Sequence, residues 1–303
     1  VIALMFPGQG AQVVGMGREL AAAFPSARAA YEEADEALGY ALSRICFEGP
    51  AERLTQTDVC QPALVATSVA AWRVAAEHGL AGGVVLGHSL GEYSALVAAG
   101  AMDYADALRV VAERGAAMQA AAEARPGGMA AVLGAADDDV VAMCAQAGDV
   151  WPANFNCPGQ VVASGTLEGV DRLLREVAAR GGKAARLQVA GAFHSPLMAP
   201  AAARLEPALA SWEPAEPRVP FLSTTTCRVE PADRMREVLL SQLTSPVRFG
   251  GAVQAALDMG ATHFVELGVG RVLSGLVRRV RRDAAVSQVG APGDLAGLVE
   301  VVG

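Results

Sequence analysis

No two of the five cysteines (Cys46, Cys60, Cys144, Cys157, Cys227) form a C-x-x-C pair. Scattered and odd in number, they support neither a disulfide framework nor a zinc site, and a reducing cytosol fits that usage best. The four histidines (His78, His88, His194, His263) are as dispersed, with no metal-ligand spacing. Basic residues are outnumbered: 24 Lys and Arg against 32 Asp and Glu leave a net charge of -8, which argues against a nucleic-acid partner. Charged residues are 18% of the chain and hydrophobic ones 52%, which excludes disorder. No apolar run approaches the roughly 20 residues of a membrane span. The N-terminal VIALMFPGQG has no basic lead-in and turns at Pro7-Gly8, so it reads as a first core strand and not a signal peptide. These absences leave a cytoplasmic globular protein whose 303 residues suffice for one large domain, or for one carrying an insert.

Long Ala-rich helical patterns alternate with short Val/Leu-rich runs, the rhythm of an α/β fold. VIALMF predicts a strand, followed by a glycine loop and a helix over Met16 to Ala23. PALVATSVAAWRVAAEHG predicts a helix ending at Gly79, GGVVLGHS a strand, and GEYSALVAAG a helix stopped by Gly100. Asp103 stands where it would cap the next helix, which runs to Pro126-Gly127-Gly128. From there the order is strand, helix, two strands, helix, strand, the β-α-β-β-α-β arrangement of a ferredoxin-like unit. The expected division is a catalytic domain over 1–126 and 191–303, interrupted by a ferredoxin-like insert over 127–190. THFVELGVG then predicts a further strand and RVLSGLVRRVRR a late helix.

The chemistry starts at Gly87-His88-Ser89-Leu90-Gly91. A serine is a poor nucleophile until a tight strand-to-helix turn lifts it clear of the backbone, and flanking glycines give room for that turn. Ser89 then needs a base. His88 adjoins it, but neighbours on an elbow point apart, so His88 is read as bonding a loop. His78 reads as a helix-end surface group and His263 as a strand-edge residue. His194, in the loop GAFHSPLM at the junction of the two units, remains as the base. Asp137, Asp138, Asp139 and Asp171 lie between Ser89 and His194 but fall at small-domain helices or helix starts, so the triad is incomplete by sequence. The loop FPGQG after the first strand lets a backbone N–H approach a ligand. Paired with the N–H of Leu90, the N–H of Gln9 would make an oxyanion hole. Arg114 sits beside Gly115 in an apolar helical run, where spacing alone favours a surface ion pair with Glu113.

Together these elements resemble the malonyl-CoA:acyl carrier protein transacylases and the related acyltransferase domains of fatty-acid and polyketide synthases. The resemblance spans the whole chain: FPGQGAQVVGMG, QPALVATSVA, GHSLGEYSALVAAGAM, RGAAMQ, NFNCPGQVVASG, AFHSPLM, QLTSPVRF and FVELGVGRVLSGL. It implies an α/β hydrolase-like large domain with a parallel sheet and an inserted ferredoxin-like small domain. It also implies a Ser89–His194 dyad in which the backbone carbonyl of Gln242 replaces the missing acid. Arg114 becomes the clamp for the malonyl carboxylate, and Phe193 a residue favouring malonyl over branched units. Malonyl-CoA is the implied donor and the phosphopantetheine thiol of an acyl carrier protein the acceptor, with no metal or resident cofactor. Val269, where the family has proline, and the threonines of FLSTTT (Phe221 to Thr226), where many relatives have Ser-Asn, depart from the pattern.

Carrier proteins are acidic, so Arg278, Arg279, Arg281 and Arg282, or Lys183 with Arg186, are candidates for docking; helix-dipole complementation explains the first group equally well. Other readings of the same residues are an acyl hydrolase, a transferase of another dicarboxylic acyl group, and a carrier-binding module without catalysis. The start at a first strand and the end soon after a late helix favour a free-standing enzyme, with a monomer as the default.

Overall fold

The computed structural model describes residues 1–189 and 191–298. The expected end of the insert at residue 190 therefore lies outside the described residues. Among the described residues, eight strands form two sheets. In the first, β1 (Ile2–Phe6), β2 (Val84–Gly87), β7 (His263–Leu267) and β8 (Ala285–Val289) run in the order β2-β1-β7-β8, all parallel. Alternation along β1 divides its side chains between two faces. Leu4 and Phe6 pack with the helices Pro25–Leu38, Thr57–Glu77 and Tyr104–Ala124. Ala3 and Met5 pack with Phe249, Val253, Leu276 and Val277 on the other face. Burial on both faces explains why β1 and β2 read as continuous apolar runs.

The second sheet contains β3 (Gly127–Leu133), β4 (Val150–Cys157), β5 (Gln160–Thr166) and β6 (Lys183–Arg186), antiparallel throughout in the order β4-β5-β3-β6. Helices Asp137–Ala147 and Leu167–Ala179 cover it around a core of Val132, Val161, Val170 and Leu173. Element order and strand order are both those of a ferredoxin-like unit. This sheet joins the first body by backbone: Phe155 N–H donates to Val247 O at 2.8 Å, and Val247 N–H to Ala153 O at 2.8 Å.

Register places the site. Phe6 pairs with Gly87, so the loops leaving β1 and β2 emerge level at the carboxyl end of the parallel sheet, where α/β folds bind their ligands. The helix expected near Met16 to Ala23 spans Arg18–Ala23. Some expectations need correction. Asp103 occupies the N-cap of Tyr104–Ala124, but its side chain makes no capping bond. Thr57–Glu77 is long and apolar enough, by length and composition, to cross a membrane, contrary to the expectation that no such run exists. With 83% of its most apolar window buried, it is a core helix here. β8, AVSQV, did not emerge from sequence periodicity, because only Val289 in it is fully buried.

Candidate active site

Ser89 follows β2 directly and adopts φ 53°, the left-handed region that side chains avoid. The elbow is possible because Gly91 has no side chain: a Cβ there would lie 2.0 Å from Phe6 O. The turn delivers Ser89 to the start of the helix Gly91–Ala98 and into a cavity of about 410 Å³. His194, also left-handed at φ 57°, lines the same cavity. Its loop is held by Ser195, whose Oγ donates to Ala192 O at 2.6 Å and accepts from Leu197 N–H at 3.3 Å.

The imidazole lies between two oxygens. Nδ1 is 2.9 Å from Gln242 O, which only accepts, so Nδ1 carries the proton. Nε2 is then the acceptor for Ser89 Oγ–H at 2.8 Å. Burial, with the Arg114 guanidinium nearby, pushes the His194 pKa down from 6.5 to about 3. The imidazole is therefore neutral and ready to take a proton at neutral pH.

Arg114 is 1% exposed, so the surface reading favoured by spacing is wrong; Glu113 pairs instead with Arg204. The reason is Gly115, whose Cβ would lie 2.5 Å from Thr57 O: the two long helices touch backbone to backbone there, which turns Arg114 inward. Its Nη1 donates to Gln61 Oε1 at 2.7 Å, and its Nη2 donates to Gln242 Oε1 at 2.8 Å and to Ser89 Oγ at 3.1 Å. Its buried Nε finds no partner among the described residues. A buried guanidinium lining the cavity beside Ser89 suits an anion.

Gln9, Leu90 and Phe193 line the same cavity, together with Met118, Met129 and Val162. Among the described residues neither the Gln9 nor the Leu90 N–H donates to a protein acceptor, whereas Gly10 N–H is taken by Gln12 Oε1 at 2.7 Å. His88 bonds Asn156 Oδ1 at 2.9 Å, a residue of β4 and not of a loop. His263 bonds Ser287 between β7 and β8, and His78 is exposed. Asp171 pairs with Arg186 at the surface, so Arg186 is not a free cation. Arg278, Arg279, Arg281 and Arg282 are exposed.

Three side chains at the site had no role in the sequence reading. Gln61 is oriented by Nε2 donating to Met118 Sδ at 3.3 Å, which aims its oxygen at Arg114. The Gln242 side chain, and not only its carbonyl, bridges Arg114 to Ser89 O and to Glu92. Glu92 itself is wholly buried. Gln61 could have been found as a polar residue in a largely apolar helical stretch; Gln242 follows a charged helix as its C-cap, and Glu92 resembles any acidic first-turn residue.

The acyl transferase domain family model matches residues 4–295 of the chain. A malonyl CoA-acyl carrier protein transacylase of Bacillus subtilis (strain 168) is 45% identical over 299 residues, covering 96% of this chain and 94% of the relative. The solved structure of the malonyl CoA-acyl carrier protein transacylase from Coxiella burnetii has a TM-score of 0.96 at 35% identity, covering 99% of this chain and 97% of that one. A malonyl-transacylase solved in complex with its type II polyketide acyl-carrier protein gives a TM-score of 0.95 at 39% identity, covering 99% of each chain. With residues 4–295 matched by the family model and a relative 45% identical over 96% of its length, the chain belongs to the acyl transferase domain family.

Proposed function

We propose that the protein moves a malonyl group from malonyl-CoA, through an ester on Ser89, to the phosphopantetheine thiol of an acyl carrier protein. One observation carries the choice of acyl group: Arg114 Nη2 and His194 Nε2 both contact Ser89 Oγ, at 3.1 Å and 2.8 Å. An acyl group whose carbonyl is attacked by Ser89 while its far carboxylate meets Arg114 must be a short diacid.

The thioester oxygen is held by the N–H groups of Gln9 and Leu90. His194 Nε2 takes the hydroxyl proton as Ser89 Oγ attacks, and Gln242 O supports the imidazolium through Nδ1–H. The tetrahedral intermediate expels the CoA thiolate, which leaves with that proton. The carrier's thiol then gives its proton to His194, its sulfur attacks the malonyl ester, and the proton returns to Ser89 Oγ. Phe193 narrows the cavity against a branched unit. No resident cofactor enters this sequence. In the same reading the catalytic domain is 1–126 with 191–303, the insert is 127–190, and the protein acts as a cytoplasmic monomer. The names of the relatives and the carrier complex among the solved structures support the donor and the acceptor.

The test is incubation with radiolabelled malonyl-CoA, with and without a carrier protein. The expected result is label on the wild-type protein, none on Ser89→Ala, and passage of label to the carrier. Label appearing as free malonate at the same rate with and without the carrier would make the protein a hydrolase. Undiminished labelling of Ser89→Ala would remove Ser89 as the nucleophile.

A further inference from the structure

We infer that Glu92 is a positioning residue for the acyl-carboxylate clamp, acting through the side-chain amide of Gln242. Glu92 follows the nucleophile by one helical turn and is fully buried. One carboxylate oxygen accepts from Ser223 Oγ at 3.0 Å and from Thr224 N–H at 2.5 Å; the other accepts from Gln242 Nε2 at 2.6 Å. That same amide group donates to Ser89 O at 3.1 Å, and its oxygen accepts from Arg114 Nη2 at 2.8 Å.

An amide side chain can be turned either way about its last bond, but here charge fixes the choice. A guanidinium only donates, so Oε1 must face Arg114, and that leaves the NH2 to face the accepting oxygen of Glu92. The acid missing from the dyad is thus present one amide away, and it orients the cation instead of the imidazole. The threonine that departs from the usual Ser-Asn belongs to this network: Thr224 Oγ1 lies 2.9 Å from both Glu92 Oε1 and Gly87 O.

Glu92→Gln keeps the shape and inverts this logic. The Ser223 and Thr224 donors retain the new side chain's oxygen, which turns its NH2 toward the NH2 of Gln242. Either two donors then face each other or Gln242 turns over and presents NH2 to Arg114. The clamp loses its anchor while Ser89 and His194 stay bonded.

This inference rests on the proposed role of Arg114, and the experiment separates the two. Single-turnover acylation is measured with malonyl-CoA and with acetyl-CoA in wild type, Glu92→Gln, Glu92→Asp, Gln242→Met, the Glu92→Gln/Gln242→Met pair and Arg114→Ala, with thermal melts alongside. The malonyl-to-acetyl rate ratio is expected to fall at least about tenfold in Glu92→Gln, Gln242→Met and Arg114→Ala. The double variant should lose no more than about threefold beyond the worse single one, because both changes cut one link. General loosening of the fold would lower both rates together and leave the ratio intact. A wild-type ratio in Glu92→Gln beside a collapsed one in Arg114→Ala overturns the inference alone. A wild-type ratio in Arg114→Ala overturns the clamp and this inference with it. Should Glu92→Gln not fold, Glu92→Asp, too short to span Thr224 and Gln242, decides: a wild-type ratio there also overturns it.

Discussion

Arg114 Nη2 lies 3.1 Å from Ser89 Oγ, so the guanidinium donates a hydrogen bond to the serine hydroxyl. Ser89 Oγ therefore accepts from Arg114 while donating to His194. The bond biases the alcohol toward losing its proton, and the same cation disfavours an imidazolium at His194. In the proposed mechanism, recognition and activation are linked through this one side chain.

Arg114→Lys tests the fork. A lysine supplies one compact charge and cannot hold Gln61, Gln242 and a carboxylate in one plane. The expected outcome is a fall in malonyl-CoA acylation of about a hundredfold, on the scale of lost bidentate recognition with buried acceptors left unpaired. Acetyl-CoA acylation should fall by less. Steady-state transfer with both donors checks this, and equal losses would count against a carboxylate clamp.

A pH experiment follows from the same linkage. With acetyl-CoA bound, Arg114 keeps its full effect on His194; a malonyl carboxylate on Arg114 screens part of it. The His194 pKa is therefore less depressed in the malonyl complex, and the acid limb of single-turnover acylation should lie at higher pH with malonyl-CoA than with acetyl-CoA. Both limbs should fall below the ordinary histidine value of 6.5, since burial is the larger cause. Superimposed limbs would show that Arg114 does not act on His194 through charge.

Much of this site was legible locally. The Ser89 elbow lies within five residues, and its glycines mark a turn that other residues could not make. His194 emerged because the other histidines were poorly placed. Arg114 was not legible from spacing, since its inward turn depends on the contact of Gly115 with Thr57, fifty-eight positions earlier in the chain. Glu92 was further out of reach: its partners Thr224 and Gln242 lie 132 and 150 positions away. A local pattern sees only an acidic residue well suited to a helix N-terminus. The same holds for β8, a half-buried edge strand whose pairing with β7 is set by tertiary packing.

Stability should also respond to His194. Its folded pKa of about 3 lies below the ordinary 6.5 of an unfolded chain. Between those values the unfolded state binds the extra proton, so this contribution is complete above about pH 6.5 and is lost as the pH falls toward 3. The limiting slope is about 1.4 kcal/mol per pH unit for one group. His88, lowered by burial, acts in the same direction, while Glu92, raised by burial, acts in the opposite one as the pH falls through its folded value. Thermal melts of wild type and His194→Asn between pH 7 and pH 5 should show the shallower dependence in the variant. Parallel curves would mean that the folded imidazole titrates normally.

Gly115→Ala tests the clamp without touching a charged group. The added Cβ would lie 2.5 Å from Thr57 O and 2.9 Å from Asp58 Cα, both backbone atoms that cannot swing aside. The two long helices must separate, which stretches the 2.7 Å bond that crosses the seam between Gln61 on one and Arg114 on the other. A displacement of about 1 Å at a clamp costs on the order of a hundredfold in a well-oriented reaction. The expected result is a folded protein with a lower melting temperature whose malonyl acylation falls far more than its acetyl acylation. If both rates fall in proportion, the helix contact supports the fold but does not set the position of Arg114.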